Sequence, residues 1–249
     1  MHRFYLPQNE SKTGRLTLTG REAHHAVRVL RLRPGDEVVV LDGAGAENFC
    51  TVQDADRDAV ELTVTKKSST PRQPFQITLL QAVPKGKIIE SIIQKAVELG
   101  VARVVPLLTE RVLTRLEGDN AAHKAEKLQH VAIEAIKQCG SPWLPKIETP
   151  MTPEEFLARG EKFELPLIAS LQPGARHARE HFQNFQNEQG RKPTTVCVWV
   201  GPEGDFTAEE VHAIQASDAL PITLGRLVLR VETAATYCLS ILNYELQPL

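Results

Sequence analysis

Apolar positions in the first part of the chain fall in short alternating runs. The segments "GRLTLTG", "GDEVVVLDG", "ENFCTVQDA" and "AVELTVTKK" set β-branched and aliphatic residues at every second position or in small clusters, separated by Pro-Gly, Asp-Gly and acidic turns. This rhythm runs to about Ser69 and predicts a small antiparallel β-barrel. One helix interrupts it. "REAHHAVRVLRL" spaces Arg21, His24 or His25, Arg28 and Arg31 three to four residues apart, with Ala23, Val27 and Leu30 on the opposite face. "KSSTPRQP" then reads as a linker.

From Phe75 the period changes. "FQITLLQAV", "ARVVPLL", "LPLIASL", "TTVCVWV" and "LPITLG" are compact apolar runs of strand length. Between or after them come helical patterns: "KIIESIIQKAVELG", ending at Gly100; "AAHKAEKLQHVAIEAIKQCG", with Asp119 or Asn120 as its N-cap; a helix from Thr207; and "VETAATYCLSILNYEL". Thr207 and Glu210 have capping-box spacing. Such alternation predicts an α/β fold with a mainly parallel sheet covered on both faces and ligands at the carboxyl ends of its strands. Two domains are expected, 1–70 and 74–249.

Composition narrows the class. The 249 residues are 42% apolar, enough for a substantial core. No apolar run approaches the roughly 20 residues of a membrane span. The N-terminus lacks the apolar core of a secretory signal, so a cytoplasmic protein is expected. Cys50, Cys139, Cys197 and Cys238 form no C-x-x-C pair, and His24 and His25 lack a third ligand at metal spacing. No metal is therefore expected. The net charge is −2, yet Lys and Arg outnumber acids between Met1 and Pro34, where Arg3, Arg21, Arg28, Arg31 and Arg33 lie. A polyanion would be drawn to that end.

Two turns carry the chemistry. In "VGPEGDFTAEE" a strand runs through Val200, Gly201, Pro202, Glu203 and Gly204 into a helix. A phosphate cradle would need backbone N–H groups there, but Pro202 has none and Glu203 adds a carboxylate. The turn suits a neutral or positively charged ligand. In "LPITLGRLVLRVETAA" a strand ends at Leu224-Gly225, passes Arg226, Leu229 and Arg230, and enters a helix near Glu232-Thr233. The two turns are expected to form opposite walls of one pocket. Glu203 either scaffolds the site by pairing with Arg230 or acts on the ligand. Arg111, after the strand "RVVPLL", is a candidate for substrate phosphate.

Together, "GPEGDFTAEE" and "LGRLVLRVETA" resemble the paired signature of the RsmE family, bacterial methyltransferases of the SPOUT superfamily that methylate N3 of a uridine in 16S ribosomal RNA. "HRFYL", "HHAVRVLRLRPGDEVVVLDG", "KGKIIESIIQKAVELGVARVVPLLTERV" and "EAIKQCGSPWLPKI" are similar to further blocks of that family, so nearly the whole chain is covered. The resemblance implies a PUA-like β-barrel over 1–70 and, over 74–249, a SPOUT domain with a deep trefoil knot, a rare topology. It also implies S-adenosylmethionine held by Val200, Gly201, Pro202, Gly204, Leu224, Gly225, Leu229, Glu232 and Thr233. Close backbone approach to that ligand would account for the three glycines. Arg230 would stabilise charge on the uracil, with Glu203 as base. Arg3, Arg21, Arg28, Arg31, Arg33 and Arg111 would contact RNA in the small ribosomal subunit. A homodimer is implied, with Ala235, Leu239, Leu242 and Leu246 as the stripe facing the partner. The sequence departs from the family pattern at Asp205, where a glycine is usual, at Val231, where a threonine is usual, and at Cys139 and Ser141. Two other readings stay open: an rRNA-binding protein without activity that keeps the knot as a dimer scaffold, and a flavodoxin-like nucleotide-binding protein.

Overall fold

The computed structural model describes residues 1–8, 14–111, 119–172 and 174–247. The chain forms two compact units, Met1–Arg72 with Ile133–Leu144, and Gln73–Ala132 with Pro145–Leu249.

The first unit is built on a five-stranded sheet of β1 (His2–Tyr5), β2 (Arg15–Thr19), β3 (Glu37–Leu41), β4 (Ala46–Ala55) and β5 (Ala59–Ser69), in the order β1-β3-β4-β5-β2. Alternation works as predicted in β2, where Leu16 and Leu18 are buried while Arg15, Thr17 and Thr19 face out. Those leucines meet Phe4, Val38, Val40, Val52, Val60 and Leu62 in one core. The pairings are antiparallel except that of β1 with β3, which is parallel. β5 runs on to Ser69, opposite Ala46, so the start of the expected linker is strand.

The helical segment differs from the simple two-faced reading. A short α-helix, α1 (Gly20–His24), passes into a π-helical turn over His25–Val29. There Leu30 N–H donates to the His25 carbonyl five residues back. The wider turn makes Ala26, rather than Val27, the buried companion of Ala23. Arg31 follows the helix with φ 56°, in the left-handed position that usually belongs to glycine, and so leaves the ridge of Arg21 and Arg28.

Ile133–Leu144, far along the chain, completes this unit. Lys137 Nζ lies 2.8 Å from Glu22 Oε1 and 2.9 Å from Glu134 Oε1. Burial pulls the Lys137 ammonium down, but hydrogen bonds to the two carboxylates outweigh it and hold its pKa above the ordinary lysine value. Trp143 Nε1 donates to the Thr70 carbonyl at 3.0 Å, and Leu144 N–H to Gly43 at 3.0 Å.

The second unit has six strands: β6 (Gln76–Ala82), β7 (Arg103–Leu107), β8 (Lys146–Ile147), β9 (Leu165–Ala169), β10 (Thr195–Val200) and β11 (Leu220–Ile222). They stand in the order β11-β9-β10-β6-β7-β8, and every pairing is parallel. Burial on both faces explains the unbroken β-branched runs. Leu80, Ala82, Val105, Leu107, Ile168 and Trp199 pack on one face with Met151, Phe156, Phe206 and Ile214.

Seven helices occur among the described residues: α1, α2 (Ile88–Glu98), α3 (Asp119–Cys139), α4 (Pro153–Leu157), α5 (Ala178–Gln189), α6 (Ala208–Ala216) and α7 (Val231–Leu246). The side chains of Asp119 and Asn120, the expected N-cap of α3, lie outside the described residues. The capping box of α6 is formed on both sides, Glu210 N–H donating to Thr207 Oγ1 at 3.2 Å and Thr207 N–H to Glu210 Oε2 at 2.8 Å. α7 packs against α2, β6 and β10. Ala235, Leu239, Leu242 and Leu246 are thereby buried within the chain itself. The stripe expected to face a partner is already covered, because α7 needs its apolar side for its own unit. Tyr237 and Tyr244 are the large side chains it exposes, at 47% and 73%.

Candidate functional site

β10 lies between β9 and β6, and the chain leaving it crosses back over β9 to β11. The carboxyl ends of β9, β10 and β11 are thus neighbours where the winding reverses, the usual place for a ligand on a parallel sheet. A cavity of about 220 Å³ lies there. Its lining consists of Ala169, the last residue of β9, with Ser170 and Leu171; Val200, the last of β10, with residues 201–205; and Leu224, Gly225, Leu227, Val228, Leu229, Val231 and Ala234 after β11. The two turns singled out in the sequence do meet. Ser170 and Leu171, which sequence reasoning missed, were signalled only by the end of the run "LPLIASL".

The wall has a distinct chemical character. Among the described residues it contains two carboxylates, Glu203 and Asp205, and no basic side chain. Leu227 and Val228 are 76% and 79% exposed. Among the described residues, no backbone N–H or C=O from Leu227 to Leu229 has an internal hydrogen bond. These groups are free to meet the polar edge of a ligand.

The glycines divide by cause. A Cβ at Gly201 would come 2.8 Å from Asp205 Oδ1, and one at Gly204 would come 3.3 Å from Arg111 Cδ. Gly201 is confined by its own loop, with Phe206 N also 3.2 Å from that Cβ position, whereas the long Arg111 side chain beside Gly204 can yield. Gly225, with φ 107°, has no atom within 4 Å of where a Cβ would stand. Its α-carbon borders open space, and its backbone excludes other residues. Asp205, standing where a glycine was expected, has φ 62°. Aspartate tolerates that region, and here its Oδ1 accepts Phe206 N–H at 2.8 Å.

Neighbouring loops brace the β10 turn. Glu203 Oε1 accepts Lys85 N–H at 3.1 Å, and no ion pair joins Glu203 to Arg230 among the described residues. Arg111 Nη1 donates to the Gly204 carbonyl and lies 3.5 Å from that of Asp205. Glu210, buried beneath, accepts Glu110 N–H at 2.9 Å. Arg230 sits at the N-cap of α7 between the lining residues Leu229 and Val231; its side chain is exposed and has no partner among the described residues. Glu232 and Thr233 are not in the lining, because the helical turn brings Val231 and Ala234 to the cavity instead.

The expected RNA contacts lie in different settings. Arg21, Arg28, Arg31 and Arg33 are exposed. Arg3 is half-buried, 3.4 Å and 3.3 Å from the carbonyls of Lys137 and Gln138, where it serves the carboxyl end of α3. Cys139 is exposed, while Ser141 Oγ donates to the Trp143 carbonyl at 2.9 Å. Burial pushes the Cys50 thiol up to about 11 and those of Cys197 and Cys238 to about 12, so these three are inert. Among the described residues no three His, Cys, Asp or Glu side chains converge as metal ligands would. No helix there is long and apolar enough to cross a membrane.

The sequence matches the family described as RNA methyltransferase domain over residues 71–243, and the RNA methyltransferase PUA domain over 18–65. It is 33% identical to the ribosomal RNA small subunit methyltransferase E of Synechocystis over 93% of this chain and 74% of that one. A methyltransferase of Legionella pneumophila, solved with its cofactor SAM, superposes with a TM-score of 0.87 at 30% identity, covering 97% of this chain and 96% of that one. The ribosomal RNA small subunit methyltransferase E of Neisseria gonorrhoeae, solved bound to S-adenosyl methionine, gives 0.84 at 27% identity over 97% of this chain and 96% of that one.

Proposed function

The chain belongs to the ribosomal RNA small subunit methyltransferase E family, and on that premise we propose that it transfers a methyl group from S-adenosylmethionine to N3 of a uridine in 16S ribosomal RNA. The observation that carries the cofactor is the cavity wall, which combines two carboxylates, free backbone groups and no basic side chain among its described residues. A pyrophosphate would find no counter-charge there. A sulfonium nucleoside finds carboxylates for its cation and amide groups for its purine edge. Gly225 leaves open space beside its α-carbon for such a ligand.

Bound there, S-adenosylmethionine supplies an electrophilic methyl group on a positively charged sulfur. The chain must do the rest. Uridine N3 carries a proton that has to leave before or as the nitrogen attacks. Glu203, in the wall, is the candidate to receive it; its Oε1 is steadied by Lys85 N–H and its second oxygen has no partner among the described residues. Arg230, whose guanidinium is free, stabilises the negative charge that grows on the uracil oxygen. Leu227 and Val228, apolar and exposed, exclude water from the reacting pair. Arg21, Arg28, Arg31 and Arg33 on the five-stranded unit hold the RNA backbone, and the target base is turned out to reach the site.

The same reading includes a trefoil knot, supported by the out-of-order place of β10 and the packing of α7 on β6 and β10. It includes a homodimer covering the Tyr237 and Tyr244 surface, and work in the cytoplasm on the small ribosomal subunit. Calorimetric titration with S-adenosylmethionine, NAD and FMN tests the cofactor. Binding of the first alone is expected; binding of FMN or NAD in its place would return the fold to a nucleotide carrier.

A further inference from the structure

Cations of the second unit differ in their partners. Away from the cavity, Arg103 pairs with Glu148 and Glu161, Lys127 with Glu90, Arg159 with Glu148, Arg179 with Glu245, and Arg191 with Glu164. Around the cavity, Lys85, Lys87 and Arg226 are exposed, as is Arg230, and among the described residues none has a carboxylate within ion-pair distance, although Lys87 feels the charge of Glu90, which pairs with Lys127. Among the described residues, Lys124, Arg176 and Lys192 also have no carboxylate partner, nor does Arg111, which bonds the Gly204 carbonyl.

The three cations are placed by the site itself. Lys85 and Lys87 flank Gly86, whose φ of 70° makes the turn between β6 and α2. Lys85 N–H donates to Glu203 Oε1 at 3.1 Å, which holds that turn against the cavity wall. Arg226 stands between the lining residues Gly225 and Leu227. The carboxylates of the wall already have backbone donors, Glu203 from Lys85 and Asp205 from Phe206 at 2.8 Å. Glu203 and Asp205 keep their negative charge in the wall, while the exposed cations Lys85, Lys87 and Arg226 on the loops around it draw a polyanion to the mouth of the cavity.

We propose that Lys85, Lys87 and Arg226 form a phosphate-binding rim that grips the phosphodiester backbone of RNA flanking the nucleotide that enters the cavity. The inference rests on the reading of that cavity as a methyl-transfer site. A base turned out of its context reaches the site in one orientation only when the phosphates beside it are held. Point charges supply that hold without reading sequence. The rim therefore adds RNA contacts made by the catalytic unit itself to those of the five-stranded unit.

The test uses the full chain with Lys85→Ala, Lys87→Ala and Arg226→Ala combined, small-subunit ribosomal RNA, and S-adenosylmethionine. RNA affinity is measured across a salt series and S-adenosylmethionine affinity by calorimetry. The plot of log affinity against log salt is expected to flatten by about 2, and affinity at about 0.15 M salt to fall roughly tenfold. Cofactor affinity stays unchanged. Lys162→Ala removes a lysine 3.7 Å from Asp218 and is expected to leave the slope alone. An unchanged slope in the triple variant, or an equal change with Lys162→Ala, overturns the rim while methylation by the unaltered chain keeps the underlying reading. If the unaltered chain neither binds S-adenosylmethionine nor methylates the RNA, that reading fails and the rim falls with it.

Discussion

Gly225 and Arg230 carry different parts of the chemistry, and substitution separates them. Valine at Gly225 would project a branched side chain into the space beside the cavity from a backbone at φ 107°. Gly225→Val is expected to abolish S-adenosylmethionine binding with the far-ultraviolet circular dichroism spectrum unchanged; unaltered affinity would remove Gly225 from the site. Arg230→Lys keeps a charge but loses the planar pair of donors. Its single-turnover rate should fall by about 100- to 1,000-fold while cofactor and RNA still bind. A rate within about twofold would make Arg230 structural. The sequence made the glycines visible but not their separate causes. Only the fold shows that Gly201 is crowded by Asp205 and that Gly204 lies beside Arg111, since those contacts are set by side-chain direction rather than spacing. Likewise the lack of an N–H on Pro202 was legible, whereas the place of Val231 and Ala234 in the lining depended on where α7 begins.

Elements with a clear period were legible and those with local exceptions were not. β2 and β10 read directly from alternation and β-branching, but the π-helical turn at His25–Val29 shifted the buried position to Ala26 and displaced Arg31. A left-handed arginine costs roughly 1 kcal/mol relative to glycine. Arg31→Gly should therefore raise the urea midpoint of unfolding, with RNA affinity read separately; a lowered midpoint would mean that the arginine makes a stabilising contact. α4 and α5 passed unpredicted: α4 is five residues held by the Thr152–Glu155 capping box, and α5 buries only Ala178, His181 and Phe182. Beside α5, Glu164 fastens the start of β9 to β10. Hydrogen bonds from Arg191 and then from Thr194 N–H hold its carboxyl down to about 2, against an ordinary value of 4.5. A depressed carboxyl stabilises the fold above 4.5 and loses that contribution as pH falls toward 2. Glu164→Gln is expected to lower the melting midpoint at neutral pH, with the gap to the unaltered chain closing between those values. A gap that stays constant with pH would show that the charge is not what matters.

For the whole molecule, the class of each unit was legible and the arrangement of the chain within it was not. Alternating strands and helices predict a parallel sheet, yet no pattern says that β10 enters between β9 and β6, because strand order is decided by long-range packing. Nothing in the periodicity of α3 marks Ile133 as the point where it joins the other unit. The Lys137–Glu22 pair and the Trp143–Thr70 hydrogen bond do that across more than seventy residues of chain. The apolar stripe of α7 was visible, but an amphipathic helix does not reveal whether its own unit or another molecule covers it. The activity proposed for the whole chain is methylation of one nitrogen of one base. It is tested most directly by incubating unmodified small-subunit RNA with the purified chain and S-adenosylmethionine, and mapping the product by mass spectrometry of its nucleosides and by arrest of reverse transcription. The expected result is a single methyl group on N3 of one uridine in 16S ribosomal RNA, lost in Arg230→Lys within a single turnover time. A methyl group on another atom or another base, or bound cofactor with no methyl transferred, would contradict it.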